Sequence, residues 1–277
     1  KTQADSAASI AAVGLALSAY PIGVERGFMS RQDAAGRTLA TLRFFDQSEQ
    51  STEADATGYM GFYYHFLDMS SGKRAGKCEL STVDTTFLLC GMLTAAAYFT
   101  KSTPEEGEIR ELSDKLYRCT NWNWAQNDGV TVSLGWSPES GFLPYRWQGY
   151  DEALFLYLLG LGSPTHPLPK ERYTQWCSTY QWREIYGYEF LYSGPLLTHQ
   201  ISHLWIDFRG IQDDYMRGKG IDYFENSRRA THVQQEYAIR NPARFGGYSA
   251  TCWGITASDG PGPAKKTIKG VEREFFG

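Results

Sequence analysis

The stretch "GFYYHFLDMSSGKRAGKCELSTVDTTFLLCGMLTAAAYF", residues 61–99, changes character halfway along. It opens with aromatic and polar residues mixed between glycines, in the manner of short strands. From Val83 onward it is an almost unbroken apolar run. That run is too long for a strand and apolar on every side, which predicts a helix over 83–99 buried all round. Two carboxylates, Glu79 and Asp84, stand at the seam. Ser81-Thr82-Val83-Asp84 reads S-x-x-D, a capping box with Asp in place of the usual Glu or Gln. Asp84 therefore has two readings. It is a cap favoured by the positive end of the helix, or it is a functional acid held at the mouth of a buried helix.

Similar apolar runs recur at 8–19, at 152–161 (EALFLYLLGL), at 195–208 (PLLTHQISHLWIDF) and in a segment opening at Tyr248 (YSATCWGIT). One-sided patterns lie between them. Leu39, Leu42 and Phe45 mark 31–45, and Ile109, Leu112, Leu116 and Tyr117 mark 104–119. The pattern around 170–186 is weaker, and Ala230, Val233 and Tyr237 mark 222–240. "GYMGFYYHFLD" and "GVTVSLGWSPESGFLPYRW" read as hairpins or long loops between helices. Buried and amphipathic helices in alternation predict an all-α fold, an (α/α)6 toroid with short β-hairpin insertions. Its inner helices form a ring with their N-termini on one face, and outer helices wrap it. Five inner and four outer candidates fall short of six pairs, and the chain ends in "KGVEREFFG" without a cap or stop signal. The expectation is one toroid domain over 1–277 that lacks its C-terminal part; the alternative is an open bundle.

The opening "KTQADSAASIAAVGLALSAY" has the look of a signal peptide. However, Asp5 precedes its apolar part, and Tyr20-Pro21 stands where a small-residue cleavage site would be, so it reads as a structural helix. No apolar stretch reaches membrane-spanning length; 83–99 comes nearest but carries Asp84 and several Thr.

A chain of 277 residues buries a core without staples. With a net charge of −4 and no basic block, it lacks the footprint of a nucleic-acid or anionic-membrane binder. A neutral polymer or small molecule fits better as a partner. Aromatic residues make up 15%, which suits either a sugar-binding cleft or a thick aromatic core. Cys78, Cys90, Cys119, Cys177 and Cys252 are widely spaced, with no C-x-x-C pair. They suggest neither zinc nor a disulfide framework, and most read as small core residues. "GKRAGK" lacks phosphate-loop spacing and no G-x-S-x-G elbow occurs, so no cofactor is implied.

"RWQGYDEALFLYLLGLG" places Asp151 and Glu152 at the mouth of a second buried helix, beside Trp147 and Tyr150. In a toroid such acids converge on one face. Paired carboxylates beside aromatic walls suit glycosidic bond cleavage, where one acid protonates the leaving oxygen and the other activates water or attacks the sugar. A first-turn position tends to keep a carboxylate ionised; the proton donor needs shelter that raises its pKa. A third apolar segment carries His199 and His203 at i, i+4. It reads H-Q-I-S-H without the Glu of H-E-x-x-H, which favours hydrogen bonding over metal. "DFRGIQDDYMRGKG", with Arg209, Asp213 and Asp214, reads as a solvated connection or a cleft rim.

The stretches "GFYYHFLDMSSGKRAGKCELSTVDTTFLLCG", "WQGYDEALFLYLLGLGSPTHPL", "THQISHLWIDFRGIQDDYM" and "NPARFGGYSATCWGITASDGPG" resemble the bacterial glycoamylase-like family. That family includes endo-β-1,2-glucanases and related domains of cyclic β-1,2-glucan synthases. The resemblance implies the toroid fold and hydrolysis of a glucan, β-1,2-linked, with α-glucan as the rival. It also implies an oligo- or polysaccharide partner and a periplasmic, envelope or secreted location. On the combined reading Glu79 and Glu152 are the favoured acids, Glu152 as proton donor, and Asp84 is base or cap. Tyr63, His65, Trp147, Gln148, Tyr150, His199 and Arg209 hold sugar. The rivals are a glucan transglycosylase of the same fold and a non-catalytic glucan-binding domain.

Overall fold

The computed structural model describes residues 7–256, 264–268 and 270–275. Asp5, the end of the fourth resembling stretch (257–262) and parts of "KGVEREFFG" lie outside the described residues. The chain falls into two compact units, Lys1–Tyr180 and Gln181–Gly277.

The first unit opens with strand β1 (Ala7–Ser9) and helix α1 (Ile10–Glu25), capped by the Ser9 hydroxyl. It continues with α2 (Arg31–Gln47) and the strands β2 (Gly58–Tyr59), β3 (Phe62–Tyr64), β4 (Phe66–Asp68) and β5 (Leu80–Ser81). Then come α3 (Thr82–Tyr98), α4 (Pro104–Cys119), the single turn α5 (Trp122–Ala125), β6 (Gly135–Ser137) and β7 (Gly141–Phe142). Helices α6 (Leu154–Gly162) and α7 (Lys170–Cys177) complete it.

Helix α3 is buried on nearly every side through its first three turns, as its apolar run predicts. So is most of α6. Helix α1 corrects that expectation. Only Ile10, Gly14, Leu17 and Pro21 are buried, one stripe at helical spacing, while Leu15 and Ile22 are exposed. It also runs on through Pro21, which cannot donate to the Leu17 carbonyl but ends nothing. The buried stripe meets α3 at two glycines. A Cβ on Gly14 would stand 2.2 Å from the Phe87 carbonyl oxygen, and one on Gly91 would stand 2.1 Å from the Gly14 carbonyl oxygen. Backbone touches backbone there.

Helix α2 packs on α4, each with one buried stripe. Arg31 at the start of α2 donates from Nε and Nη2 to the two carboxylate oxygens of Glu106, at 2.8 and 2.9 Å. Glu106 is buried, and the Arg31 hydrogen bond outweighs burial to hold its carboxyl below the usual range. Arg31→Ala leaves that carboxylate with the Lys101 amide as partner. The expected loss is about 2 kcal/mol at neutral pH, read from urea midpoints. Because the folded pKa is depressed, the stabilisation is present above the unfolded carboxylate range and is lost as pH falls through the folded value. The variant should therefore lose less stability than the parent on acidification.

Five of the small strands form one antiparallel sheet in the order β2-β3-β5-β6-β7, and β1 pairs with β4. The sheet ties the two strand-like stretches together through Ser81↔Gly135 and Leu80↔Trp136. Part of the aromatic excess goes into the interior: Trp122, Trp176, Tyr64, Tyr157, Phe62 and Phe99 are fully buried. Of the cysteines only Cys90 and Cys177 are buried, while Cys119 and Cys252 are exposed and none forms a disulfide. The expectation that most are core residues is corrected.

The second unit starts with a hairpin, β8 (Trp182–Ile185) and β9 (Tyr188–Leu191), turned by Tyr186 and Gly187, both at positive φ. The weak pattern at 170–186 thus holds a helix only to Cys177. The 195–208 run yields one short helix, α8 (Leu196–Gln200), and a 3₁₀ turn, Ile201–Leu204; Leu197 and Leu204 are exposed, so this is no fully buried helix. The polar 207–220 loop contains α9 (Asp214–Lys219), capped by the Asp213 carboxylate and closed by Gly220 in the left-handed region. Helix α10 (Tyr223–Arg240) follows, with Ala230 and Val233 packed on Phe190. The segment at Tyr248 is not a helix: Ser249 and Cys252 make an isolated bridge. A last hairpin joins β10 (Ala264–Ile268) and β11 (Val271–Phe275). Among the described residues, no helix is long and apolar enough to cross a membrane.

Candidate active site

The carboxylates of the seam meet at His65, in the first unit. The residue joins β3 to β4, and its backbone amide donates to the Glu79 carbonyl at 2.9 Å. That pairing sets the two side chains next to each other, and His65 Nδ1 lies 2.9 Å from Glu79 Oε1. The other ring nitrogen, Nε2, is 3.5 Å from Asp84 Oδ1. Phe66 stacks on the ring with centroids 4.0 Å apart.

Asp84 sits in the first turn of α3. Its amide donates to the Ser81 hydroxyl at 3.2 Å, and that hydroxyl donates back to Asp84 Oδ2. It is therefore a capping residue and also a member of the acid cluster. Its carboxyl is only 14% exposed. Burial raises its pKa, against the opposing pull of the His65 charge and the Ser81 hydrogen bond. A low pKa at the helix mouth was the expectation; desolvation is the larger effect. Glu79 goes the other way, because its His65 hydrogen bond outweighs burial.

Glu152 precedes α6. Burial raises its pKa, and the Asp84 charge raises it further while His65 opposes. Its charge also reaches His65. Glu79 and Asp84 thus meet at one histidine, from a strand edge and a helix mouth, and Glu152, in the turn before another helix, interacts with His65 and Asp84 through its charge. Trp147 joins them at the mouth of α3, where its indole N–H donates to Thr82 Oγ1 at 3.0 Å. A glycine leaves room beside the cluster: a Cβ on Gly135 would stand 2.4 Å from the Leu80 carbonyl oxygen and 3.2 Å from Glu79 Cγ.

Asp151, next to Glu152, accepts from the Ala153 amide at 3.0 Å. Burial pushes its pKa to about 8; the Ala153 amide pulls it down and the Glu152 charge adds to the rise. The folded state holds this proton more tightly than the unfolded chain, so stability falls as pH rises between about 4 and 8. Asp151→Asn removes that slope. Melting temperatures from pH 5 to pH 8 should show the variant gaining on the parent.

Two sugar-binding expectations are corrected. Tyr63 and Tyr150 are each 3% exposed and have no surface to offer a ligand. Tyr63 packs edge-on to Phe45, and Tyr150 packs edge-on to Tyr180. Gln148 is exposed. His199 and Arg209 belong to the second unit. His199 is almost sealed, with Nε2 3.2 Å from the Ser193 carbonyl oxygen and its pKa lowered to about 4 by burial. It contributes to the wall of a 310 Å³ pocket with His203, Phe224 and His232. Arg209 lies over the Phe224 ring and pairs with Asp207 at 3.1 Å. The sequence reading missed the bridging part played by His65. An aromatic strand delivering a histidine opposite an acid-bearing strand was the available signal.

Comparison with known proteins agrees with the motifs. Residues 144–274 match the family "Glycoamylase", described as "Putative glucoamylase". The exo β-1,2-glucooligosaccharide sophorohydrolase (non-reducing end) of Parabacteroides distasonis is 27% identical over 281 residues, which is 90% of this chain and 37% of that protein. A solved "putative glucoamylase" of Bacteroides uniformis is 31% identical with a TM-score of 0.81, covering 92% of this chain and 63% of that one. The endo-β-1,2-glucanase of Chitinophaga pinensis, solved with sophorotriose and glucose, is 25% identical with a TM-score of 0.77, covering 92% and 62%. The chain thus spans little more than a third of the curated relative and under two thirds of these solved structures. The resemblance to the bacterial glycoamylase-like family that the motifs carry is borne out by these similarities.

Proposed function

We propose that this chain is the acid-bearing part of a glycoside hydrolase acting on β-1,2-linked glucan. The observation that carries the reading is the pairing of Asp84 with His65, with Glu152 within reach of both charges, so that burial raises both acids and the Asp84 charge adds to the need of Glu152 for a proton. Glu152 gives its proton to the glycosidic oxygen as the bond to the anomeric carbon breaks. Asp84 acts on the other side, either taking a proton from the attacking water or attacking the carbon itself. A raised pKa suits both parts, since an acid keeps its proton near neutrality and a base gains strength. Glu79, favoured from the sequence as the second acid, is less suited, because its lowered pKa and bond to His65 make it a weak base.

The substrate class rests on the sophorohydrolase and the sophorotriose-bound glucanase among the relatives. Trp147 is the aromatic surface best placed for a sugar ring. The (α/α)6 toroid, with 1–277 as part of a single such domain, is supported by α3 and α6 being buried nearly all round while α2 and α4 bury one stripe. A periplasmic, envelope or secreted location belongs to the same proposal and rests on the family resemblance.

The test is reducing-end release from β-1,2-glucan, starch and β-1,3-glucan in parallel, using the full-length protein. Release from β-1,2-glucan alone is expected. Saturable binding without turnover would reduce the site to a binding module, and products longer than the substrate would make it a transglycosylase.

A further inference from the structure

Both ring nitrogens of His65 face carboxylate oxygens, Nδ1 toward Glu79 and Nε2 toward Asp84. A neutral imidazole has one N–H and one lone pair, so either tautomer would turn its lone pair on a carboxylate. With both carboxyls ionised, only the doubly protonated ring answers both. The residue is also held at three points: its backbone amide donates to the Glu79 carbonyl, its carbonyl accepts the Ile10 amide at 3.2 Å, and Phe66 stacks on the ring face. We propose that His65, held by Glu79, is a positioning residue that orients the Asp84 carboxylate and supplies its counter-charge, and that it contacts no sugar. The proposal deepens the hydrolase reading and rests on it for the part played by Asp84.

The chain Glu79–His65–Asp84 places a rigid cation behind the base, an arrangement in which one group orients the next. Asp84 has a neighbour at each oxygen: the Ser81 hydroxyl donates to Oδ2, and His65 Nε2 stands at ion-pair distance, 3.5 Å, from Oδ1. The acidic groups acting on His65 are Glu79 beside β5, Asp84 on α3 and Glu152 before α6. Burial disfavours the imidazolium; together these three carboxylates outweigh it and raise the His65 pKa.

The first measurement needs no substrate. The ring-nitrogen shifts of His65 are followed against pH by NMR in the full chain, assigned by their loss in His65→Gln. The parent should stay doubly protonated past the ordinary histidine midpoint of about 6.5. Glu79→Gln and Asp84→Asn should each bring the midpoint down. A neutral ring at pH 6 in the parent, or a midpoint indifferent to both variants, would overturn the proposal. The second measurement is kinetic. His65→Gln and Glu79→Gln should lower kcat by about 10- to 100-fold with KM little changed, the range seen when outer-shell partners of metal ligands are removed. A raised KM at constant kcat would make His65 a sugar contact and overturn the proposal, as would restoration of Glu79→Ala by azide or formate, which would make Glu79 the acting carboxylate. A protein that cleaves no glucan yet keeps the high His65 midpoint would overturn the hydrolase reading and leave the clamp standing.

Discussion

Glu152→Gln is expected to remove glucan hydrolysis while leaving the fold intact. The amide has the shape of the acid and none of its exchangeable proton, so the glycosidic oxygen would leave unprotonated. General acid catalysis contributes about 10²- to 10⁴-fold, and kcat should fall by at least that range. Stability should hold or rise, because burial already raises the Glu152 pKa and a neutral amide escapes that desolvation. Urea midpoints taken beside initial rates separate the two effects. Reducing-sugar release close to the parental rate from a folded variant would remove Glu152 from the chemistry. The acidic limb of the parent's pH profile should come from Asp84 and the basic limb from Glu152, both moved upward from ordinary carboxylate values. Glu152→Gln should erase the basic limb in whatever activity is left.

The largest stability effect is expected at Gly91. Its missing side chain lets α3 lie with its backbone against that of α1, and the atom a Cβ would meet is the Gly14 carbonyl oxygen at 2.1 Å. No rotamer relieves a clash between a Cβ and a backbone oxygen, so Gly91→Val must part the two helices. That opens the stripe of Ile10, Leu17 and Pro21 and the face of α3 beneath it. The cost should exceed about 4 kcal/mol, in the range that marks core disruption. Little soluble protein, or a melt shifted far down, is the expected readout. Asp84 lies on the same helix, so any folded remainder should also lose activity. A variant with parental stability would mean that the close approach of α1 and α3 is not what holds this region together.

Much of the architecture is written in apolar periodicity. Helices α2, α3, α4, α6 and α10 fall within a few residues of where their patterns place them, because each has a long run and a recognisable start. Where the pattern misleads, the reasons are local. The run at 195–208 has apolar residues enough for a helix, yet Leu197 and Leu204 face solvent and the helix stops after five residues. The β8–β9 hairpin hides because its turn is Tyr-Gly instead of the Asn-Gly that announces two residues at positive φ. Helix α9 hides in a polar loop, although Asp213 and Gly220 frame it with an N-cap and a left-handed close.

The site was legible as a set of acids and illegible as a geometry. S-x-x-D and the Asp151-Glu152 pair gave the helix mouths from local sequence alone. That Glu79 and Asp84 share a histidine depends on β3 pairing with β5, a contact between residues 63–64 and 80–81 that no local pattern states. Tyr63 and Tyr150 show the same limit in reverse. Their side chains suit sugar binding by type, and only packing reveals that both face inward.

The bare backbone at Gly135 makes a packing detail into a rule for redesign. A library that varies the β5–β6 surface to recruit a new substrate will meet the Leu80 carbonyl oxygen at 135 first, at 2.4 Å, and Glu79 Cγ next, at 3.2 Å. An added carbon at 135 must prise the strand pair apart, and it crowds the Glu79 side chain as well. Selection for altered activity should therefore hand back glycine at this position, whatever else it accepts nearby.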